Sequence, residues 1–327
     1  MIGGHPRRWG TGAMVSPIQR GRWAYPLIDQ YDMYVSGREM KFQTLLTEID
    51  TRYQRNAQSA SSKPTPLVIG APLVVGDTVL VQGMGSLKAL DARTGQLRWS
   101  GVAQDETFFY WAQRNYVDKG DNSQHDNTVE LYLGQRAWLN QTAASLASDG
   151  QQAYAVSGTG MVGAYRASHL FMGRTLQPPP RELVPPGDNR LLAYDISTGL
   201  LKWELGGAVV ATPLDEDGQQ TAESRRLGGV FFLGAPLPVD GQLFTLAEDR
   251  GQIRLFALSP ETGEAEWSLP LLNPTIGIVS DEKRRMFGLS PAYAGGLLIC
   301  PTGAGVVVAV DPLLRREIGR ASCRERV

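Results

Sequence analysis

Short runs of strand-forming residues alternate with turn residues along much of the chain, and the pattern is clearest between residues 231 and 269. Each break between these runs contains a glycine, the residue that most readily takes the positive φ of a hairpin loop. The four runs are Leu237–Val239, Gln242–Leu246, Gln252–Leu258 and Ala265–Leu269. Four antiparallel strands in about forty residues predict one blade of a β-propeller.

The last hairpin of this blade recurs elsewhere in the chain. Segments Leu87–Trp99, Leu191–Trp203 and Leu255–Trp267 align without gaps, and a fourth copy begins at Gly305. The shared positions are an acid (Asp91, Asp195 and Asp311, with Ser259 in the third copy), a threonine (Thr94, Thr198, Thr262), a glycine (Gly95, Gly199, Gly263) and a tryptophan (Trp99, Trp203, Trp267). A repeat of this kind predicts a protein built from similar units that pack on one another.

The spacing of the repeated residues has a physical cause. Within an Asp-x-x-Thr-Gly turn, the carboxylate and the hydroxyl can accept hydrogen bonds from backbone N–H groups, and the glycine closes the loop in the left-handed conformation. The tryptophan then returns on the outer strand, where we expect it to pack between neighbouring blades rather than to stack on a ligand. Its replacement by alanine should destabilise the fold by about 3–5 kcal/mol.

The Ala-x-Asp-x-x-Thr-Gly-x-x-x-Trp signature resembles the repeat of pyrroloquinoline-quinone (PQQ)-type β-propellers over residues 66–316. That family includes quinoprotein alcohol dehydrogenases and the BamB-like propellers that assist outer-membrane barrel assembly. The resemblance implies an all-β fold, a partial β-propeller of four-stranded antiparallel blades. The blades are expected at residues 67–99, 145–203 with an insert at 164–188, 231–269 and 289–316, the last of them incomplete. Ser259 departs from the pattern, so the third turn should be held differently.

Residues 1–65 and 317–327 fall outside the repeat. The first part is expected to hold a closing strand around Trp23, an amphipathic helix over residues 37–56 and a linker. The last part, EIGRASCRERV, has no strand or helix pattern and resembles the translation of a sequencing adapter. We therefore expect Glu317–Val327 to lie outside the fold, with the natural protein continuing beyond Arg316 into further blades.

An insertion between the first two blades contains an aromatic cluster, Phe108, Phe109, Tyr110 and Trp111. Insertions on a propeller project from its rim and often carry binding residues. A loop that packs on itself is favoured, because large exposed apolar patches are uncommon on monomers. The alternative is that the cluster is a binding loop.

Composition narrows the classes of function. Hydrophobic residues make up 42% of the 327 residues, and the formal net charge of −1 predicts no basic surface for nucleic acid. No apolar run is long enough to span a bilayer, and the residues after Met1 do not resemble a signal peptide. The three histidines lie far apart without zinc-ligand spacing, so we predict no metal site and no catalytic residue. Cys300, in an apolar run, is expected to be a small buried hydrophobe.

The resemblance implies two functions. Its dehydrogenases are expected to hold PQQ on the propeller axis beneath a disulfide between adjacent cysteines, with a bound calcium ion and an aspartate base. This chain has no adjacent cysteine pair, which favours the other function, a non-catalytic scaffold of the bacterial cell envelope without a cofactor. Such a periplasmic scaffold would bind a protein or another envelope component through its rim loops. A quinoprotein dehydrogenase with PQQ and calcium is the alternative.

Overall fold

The computed structural model describes residues 23–25, 70–83, 86–101, 139–159, 189–207 and 227–322. Strands dominate these residues, and the helices among them are short. The elements are β1 (Leu73–Val75), β2 (Thr78–Gln82), β3 (Leu87–Asp91), β4 (Leu97–Ser100), α1 (Gln141–Ala144), β5 (Leu146–Ser148), β6 (Gln152–Ser157), β7 (Arg190–Asp195), β8 (Leu201–Gly206), β9 (Phe231–Phe232), β10 (Leu237–Val239), β11 (Gln242–Asp249), β12 (Gln252–Leu258), β13 (Ala265–Leu272), α2 (Glu282–Met286), β14 (Ala292–Ala294), β15 (Leu297–Pro301), β16 (Val306–Asp311) and β17 (Arg316–Ser322).

The strands form four antiparallel sheets that follow one another along the chain. Blade one has the order β1-β2-β3-β4, blade two β5-β6-β7-β8, blade three β10-β11-β12-β13 and blade four β14-β15-β16-β17. In blade three the short strand β9 also pairs with the end of β11. The fold class predicted from the repeat, an all-β partial propeller, is confirmed.

The hydrophobic core lies between the blades, because alternate side chains of each strand point to opposite faces of its sheet. In β7, Leu192 and Tyr194 belong to an apolar cluster shared with blade one. Leu191 and Ala193 belong to a second cluster, shared with blade three. A third cluster joins blade three to blade four. Each blade is therefore stabilised by its neighbours, as in other repeat proteins.

The outer hairpin of every blade has the same irregularity. The strand register shifts between Ala89 and Leu90, Ala193 and Tyr194, Ala257 and Leu258, and Ala309 and Val310. These pairs occupy equivalent positions just before the acid of the turn. A bulge at this point bends the hairpin and adds local twist. The repeat is therefore a repeat of backbone geometry as well as of sequence.

Blade four differs from its prediction. Residues from Glu317 onward were expected outside the fold, yet Arg316–Ser322 forms the outer strand of this blade. Most of its side chains are exposed, so the strand is held by backbone hydrogen bonds to β16, which require no apolar pattern. Gly319 pairs with Ala309, at the position where the other blades have tryptophan. The helix predicted over residues 37–56 lies outside the described residues.

The two ends of the blades differ. The lower face carries the turns between first and second strands and the repeated Asp-x-x-Thr-Gly turns. The upper face carries the connections between second and third strands and those between blades, including α1 and α2. The described residues that flank 102–138, 160–188 and 208–226 all lie at this upper face. In the described part of the chain, no helix is long and apolar enough to cross a membrane.

Candidate functional site

On the lower face, the turn of blade one is closed by its own side chains. Asp91 Oδ1 accepts hydrogen bonds of 2.9 Å from the backbone N–H groups of Arg93 and Thr94, and another from the Thr94 hydroxyl. Thr94 Oγ1 accepts a bond of 3.3 Å from Gln96 N, and Gly95 has a φ of 72°. These side-chain bonds add to the backbone bonds that close the turn, from Gly95 N to the Asp91 carbonyl and from Asp91 N to the Gln96 carbonyl, both 2.8 Å.

The turns of blades two and three differ in the number and length of their side-chain hydrogen bonds. Asp195 Oδ1 accepts bonds from the N–H and hydroxyl groups of both Ser197 and Thr198. The bond from the Ser197 hydroxyl is the main reason that the pKa of Asp195 is lowered. In blade three, the hydroxyl of Ser259 accepts a longer bond, 3.4 Å, from Thr262 N. A neutral hydroxyl thus holds this turn less firmly than a carboxylate does.

The repeated tryptophans make equivalent contacts across the blade boundaries. Their indole N–H groups donate to the carbonyl oxygen one residue after the acid position of the next turn: Trp23 to Ala92 (3.2 Å), Trp99 to Ile196 (2.6 Å) and Trp203 to Pro260 (2.8 Å). Each ring also covers the turn glycine, so that an added Cβ would lie 2.5 Å from the ring at Gly95, 2.6 Å at Gly199 and 2.8 Å at Gly263. We call each of these contacts a rung. Trp23, expected in a closing strand, supplies the rung for blade one.

Blade four carries a variant rung. Arg315 replaces the turn glycine and keeps the left-handed backbone, with a φ of 52°. Its guanidinium carbon lies 5.9 Å from the ring centroid of Trp267, within the range of a cation–π interaction. The Trp267 ring therefore meets a cation, whereas Trp99 and Trp203 meet bare glycine backbone.

Arg98 joins two carboxylates on the lower face of blade one. Its Nη2 atom lies 2.6 Å from Asp91 Oδ2 and 2.7 Å from Asp77 Oδ2. The bond from Arg98, assisted by the Thr94 and Arg93 N–H groups, holds the pKa of Asp91 well below its usual range. The same guanidinium lowers the pKa of Asp77. These groups stay charged near neutral pH, so they orient the turn and are unsuited to proton transfer.

The upper face holds a buried ion pair between blades three and four. Arg284 of α2 and Glu248 of β11 have side chains that are 1% and 3% exposed, and Arg284 Nη2 lies 2.7 Å from Glu248 Oε2. The same nitrogen donates to the Ile276 carbonyl at 2.7 Å, while Arg284 Nη1 is 3.1 Å from Asp281 Oδ2. Glu248 Oε1 accepts a bond of 2.8 Å from Ile278 N. Each charge thus has an oppositely charged partner, as burial requires, although Arg284 Nε has no hydrogen-bond partner.

The connection that contains Arg284, residues 273–291, is called the strap here. Gly288 N donates to Thr142 Oγ1 of α1 at 2.9 Å, and Leu289 N donates to the Leu233 carbonyl at 2.8 Å. Ser290 Oγ donates to the Ala235 carbonyl at 2.7 Å. These bonds tie the strap to the entry segments of blades two and three. The strap is therefore fixed to three consecutive blades.

The quinone and calcium site implied by the resemblance can be tested on the residue chemistry. Calcium takes six to eight oxygen ligands, several of them carboxylates. Among the described residues Glu248 is the one buried carboxylate, and Arg284 and Ile278 N use both of its oxygens. Within the same ranges no group of three His, Cys, Asp or Glu side chains could hold a metal. Cys300 is a free thiol in the core between blades three and four. The described residues do not fit this site.

The structure separates the predicted residues into two sets. The acid, threonine, glycine and tryptophan positions of the repeat all lie on the lower face, in turns and rungs. The aromatic cluster Phe108–Trp111 lies outside the described residues. Sequence reasoning missed the Glu248–Arg284 pair, because the partners are separated by 36 residues. An acidic residue at the end of an apolar strand was the available signal.

No protein-family model and no curated protein matches the chain. Among solved structures it is similar to BamB from Moraxella catarrhalis, with 16% identity, a TM-score of 0.38, and a match covering 77% of this chain and 50% of that one. A quinohemoprotein alcohol dehydrogenase from Comamonas testosteroni has 16% identity and a TM-score of 0.40, with 79% and 35% covered. A second, from Pseudomonas putida, has 16% identity and a TM-score of 0.39, with 77% and 33% covered. The chain thus spans half the length of BamB and about a third of the dehydrogenases. Similarity at this level assigns neither an activity nor a partner.

The chain's own geometry defines its class. Four successive sheets, cores shared between neighbours and a rung at each boundary are the features of a β-propeller. The turn, the bulge and the outer tryptophan recur in one register in the first three blades.

Proposed function

We propose that the chain is a non-catalytic scaffold of the bacterial cell envelope, located in the periplasm, that binds a protein partner through its upper face. The observation that carries this proposal is the surface of the strap. Ile276, Val279 and Phe287 are 54%, 64% and 48% exposed, although the strap itself is fixed by the buried Arg284. Three large apolar side chains exposed on one connection form a candidate interaction surface, whereas single exposed residues such as Leu200 are common on proteins.

The arrangement of the two faces supports the same proposal. On the lower face of the first three blades, the side chains of the repeated turns form hydrogen bonds within their own blade. The tryptophan of one blade donates a hydrogen bond to the turn of the adjacent blade. The described residues that flank segments 102–138, 160–188 and 208–226 lie at the upper face, and the first of these segments contains the aromatic cluster Phe108–Trp111. Loops on a rigid scaffold are where binding residues concentrate. We propose that this cluster and the strap contribute to one partner-binding surface, with no cofactor.

Site-specific photo-crosslinking tests the use of the upper face. A photoreactive phenylalanine analogue is placed at Ile276, Val279 or Phe287, and at Leu200 or Leu313 as exposed controls on the lower face, which are 67% and 91% exposed. In intact bacterial cells, the strap positions should each give the same discrete crosslinked protein. Equal crosslinking from the Leu200 and Leu313 variants, or none from the strap, would reject the proposal.

A cofactor titration tests the non-catalytic part. Purified protein is mixed with PQQ and calcium, the absorbance is recorded, and a dye is offered as electron acceptor with primary alcohols as substrates. We expect no stoichiometric uptake and no dye reduction, because the described residues do not fit the site. Uptake of one equivalent with dye reduction would support the dehydrogenase instead.

A further inference from the structure

Buried polar side chains hold the short helix α1 in place at the upper face. The helix has only four residues, Gln141–Ala144, and isolated helices shorter than about 12 residues are marginal in water. Asn140 caps its first turn, because Asn140 Oδ1 accepts a hydrogen bond of 2.9 Å from Ala143 N. The amide nitrogen of the same side chain donates to Thr159 Oγ1 of blade two, and both residues are buried. Blade two thus determines where α1 begins.

The next residue of α1 to contact other blades is Thr142, which is fully buried. Its hydroxyl donates to the Leu233 carbonyl at 3.3 Å and accepts a bond of 2.9 Å from Gly288 N of the strap. The strap backbone also approaches α1 closely, since an added Cβ on Gly288 would lie 2.8 Å from the Gln141 carbonyl oxygen. The Thr142 hydroxyl therefore uses its donor and an acceptor site to join three blades.

The strap surface, meaning the exposed side chains of Ile276, Val279 and Phe287, has two separate anchors. At one end, Arg284 of the buried ion pair donates to the Ile276 carbonyl at 2.7 Å. At the other end, Phe287 directly precedes Gly288, the residue that Thr142 holds. The ion pair therefore fixes the first part of the strap surface, and α1 fixes Phe287.

We propose that Asn140 and Thr142 are positioning residues of the strap surface. The Thr142 hydroxyl holds Phe287 through Gly288, and Asn140 acts on Phe287 through α1. This inference rests on the proposed function, because it concerns how the strap is presented to a protein partner. An exposed aromatic side chain on a backbone that is fixed before binding loses less conformational freedom on association. Ile276, which has its own anchor, should bind the partner independently of α1.

Hydrogen exchange of the strap amides in the full chain tests the role of Thr142. Thr142→Val removes the hydroxyl at similar shape, and should accelerate exchange of the Gly288 and Leu289 amides about tenfold. Thr142→Ser keeps a hydroxyl and should restore slow exchange. Thr245→Val is the matched control, because Thr245 is equally buried and its hydroxyl has no hydrogen-bond partner in the described part of the chain. Equal exchange in the valine and serine variants of Thr142 would overturn the proposal.

Asn140→Ala tests whether the effect passes through the helix. Among the described residues, the hydrogen bonds of the Asn140 side chain go to Ala143 N and Thr159 Oγ1, so an effect on the strap must be carried by α1. Loss of this cap should accelerate exchange of the same two strap amides about tenfold. Combined with Thr142→Val, it should add less than its separate effect, because both changes release one element. Unchanged strap exchange in Asn140→Ala would overturn the role given to Asn140.

Photo-crosslinking from two positions links this device to partner binding. In the Thr142→Val background, the crosslinked product from a photoreactive analogue at Phe287 should fall about fivefold or more, while that from Ile276 should be unchanged. Equal loss from both positions, or no loss from Phe287, would overturn the proposal. Absence of a product from either position in the otherwise unchanged chain would reject the proposed function alone, and the exchange rates would then decide the roles of Asn140 and Thr142.

Discussion

Trp99 of blade one lies over Gly199 of blade two so closely that a Cβ atom on Gly199 would come within 2.6 Å of the indole ring. Gly199 also has a φ of 72°, which other residues adopt at a cost. Gly199→Ala should therefore destabilise the protein by about 2–4 kcal/mol, through backbone strain and displacement of the ring. Chemical denaturation measures this change.

Gly251 provides the matched control for this substitution. Its φ is 77°, and an added Cβ would have nothing within 4 Å. Gly251→Ala should therefore cost only about 1 kcal/mol, from the backbone alone. Equal losses for Gly199→Ala and Gly251→Ala would show that the tryptophan contact does not contribute.

The buried ion pair on the upper face gives a second prediction. Glu248→Gln removes the buried counter-charge of the Arg284 guanidinium and leaves only the partly exposed Asp281 beside it, so it should destabilise the protein by about 3 kcal/mol. Replacing both partners, as in Glu248→Leu with Arg284→Met, should cost less than the single change, because no charge is then left unpaired. Urea unfolding of both variants checks the order.

A half-exposed ion pair serves as the control. Arg190 Nη1 lies 3.4 Å from Glu204 Oε2, with side chains 24% and 35% exposed. Glu204→Gln should cost no more than about 1 kcal/mol. If Glu204→Gln and Glu248→Gln had the same effect, burial of the strap pair would not matter for stability.

The lower face should contribute to acid sensitivity. The pKa of Asp91 is lowered by the hydrogen bond from Arg98, so its carboxylate stabilises the folded state above the unfolded pKa of about 3.9. That contribution is lost as the pH falls towards the folded pKa. The Tm difference between wild type and Asp91→Asn should therefore be largest above about pH 5 and shrink towards about pH 2.

Removal of the donor with Arg98→Gln supplies the reference, because it should take away most of the dependence of this Tm difference on pH. A gap for Asp91→Asn that is constant with pH in the presence of Arg98 would contradict the role given to Arg98.

The Cys300 thiol should react very slowly with alkylating reagents in the folded protein. Its thiol is buried in the core between blades three and four, and burial raises its pKa to about 12. In a Cys323→Ser background, iodoacetamide at pH 8 should label Cys300 about a thousandfold more slowly than a free thiol. Labelling should reach the free-thiol rate in denaturant. Fast labelling under native conditions would show that blade four does not close over blade three.

Much of this fold could be predicted from local sequence, because turns and alternation are local properties. Strands β10 and β12 have the predicted bounds. Strand β11 runs on to Asp249, past the predicted end at Leu246. The extension includes Glu248, which looks like a turn residue until Arg284 neutralises it from 36 residues away. A local sequence pattern cannot identify a partner that lies so far along the chain.

The same limit applies to the candidate site. The repeated turn residues could be placed at once, because their bonds span two or three residues. The strap could not, since its position depends on bonds to Thr142 and Leu233 in two other blades. The strand at Arg316–Ser322 was missed because backbone pairing alone holds it. Arg315 shows that a residue other than glycine can take the left-handed backbone conformation at this position of the turn.

The rungs between blades are the central claim, and glycine-selective NMR tests it most directly. In protein labelled only at glycine and tryptophan, the Hα protons of Gly95, Gly199 and Gly263 should be shifted upfield by the adjacent rings. Each should show nuclear Overhauser effects to one indole, from Trp23, Trp99 and Trp203 respectively. Glycine shifts at random-coil values, without contacts to tryptophan, would contradict the account of successive interlocked blades.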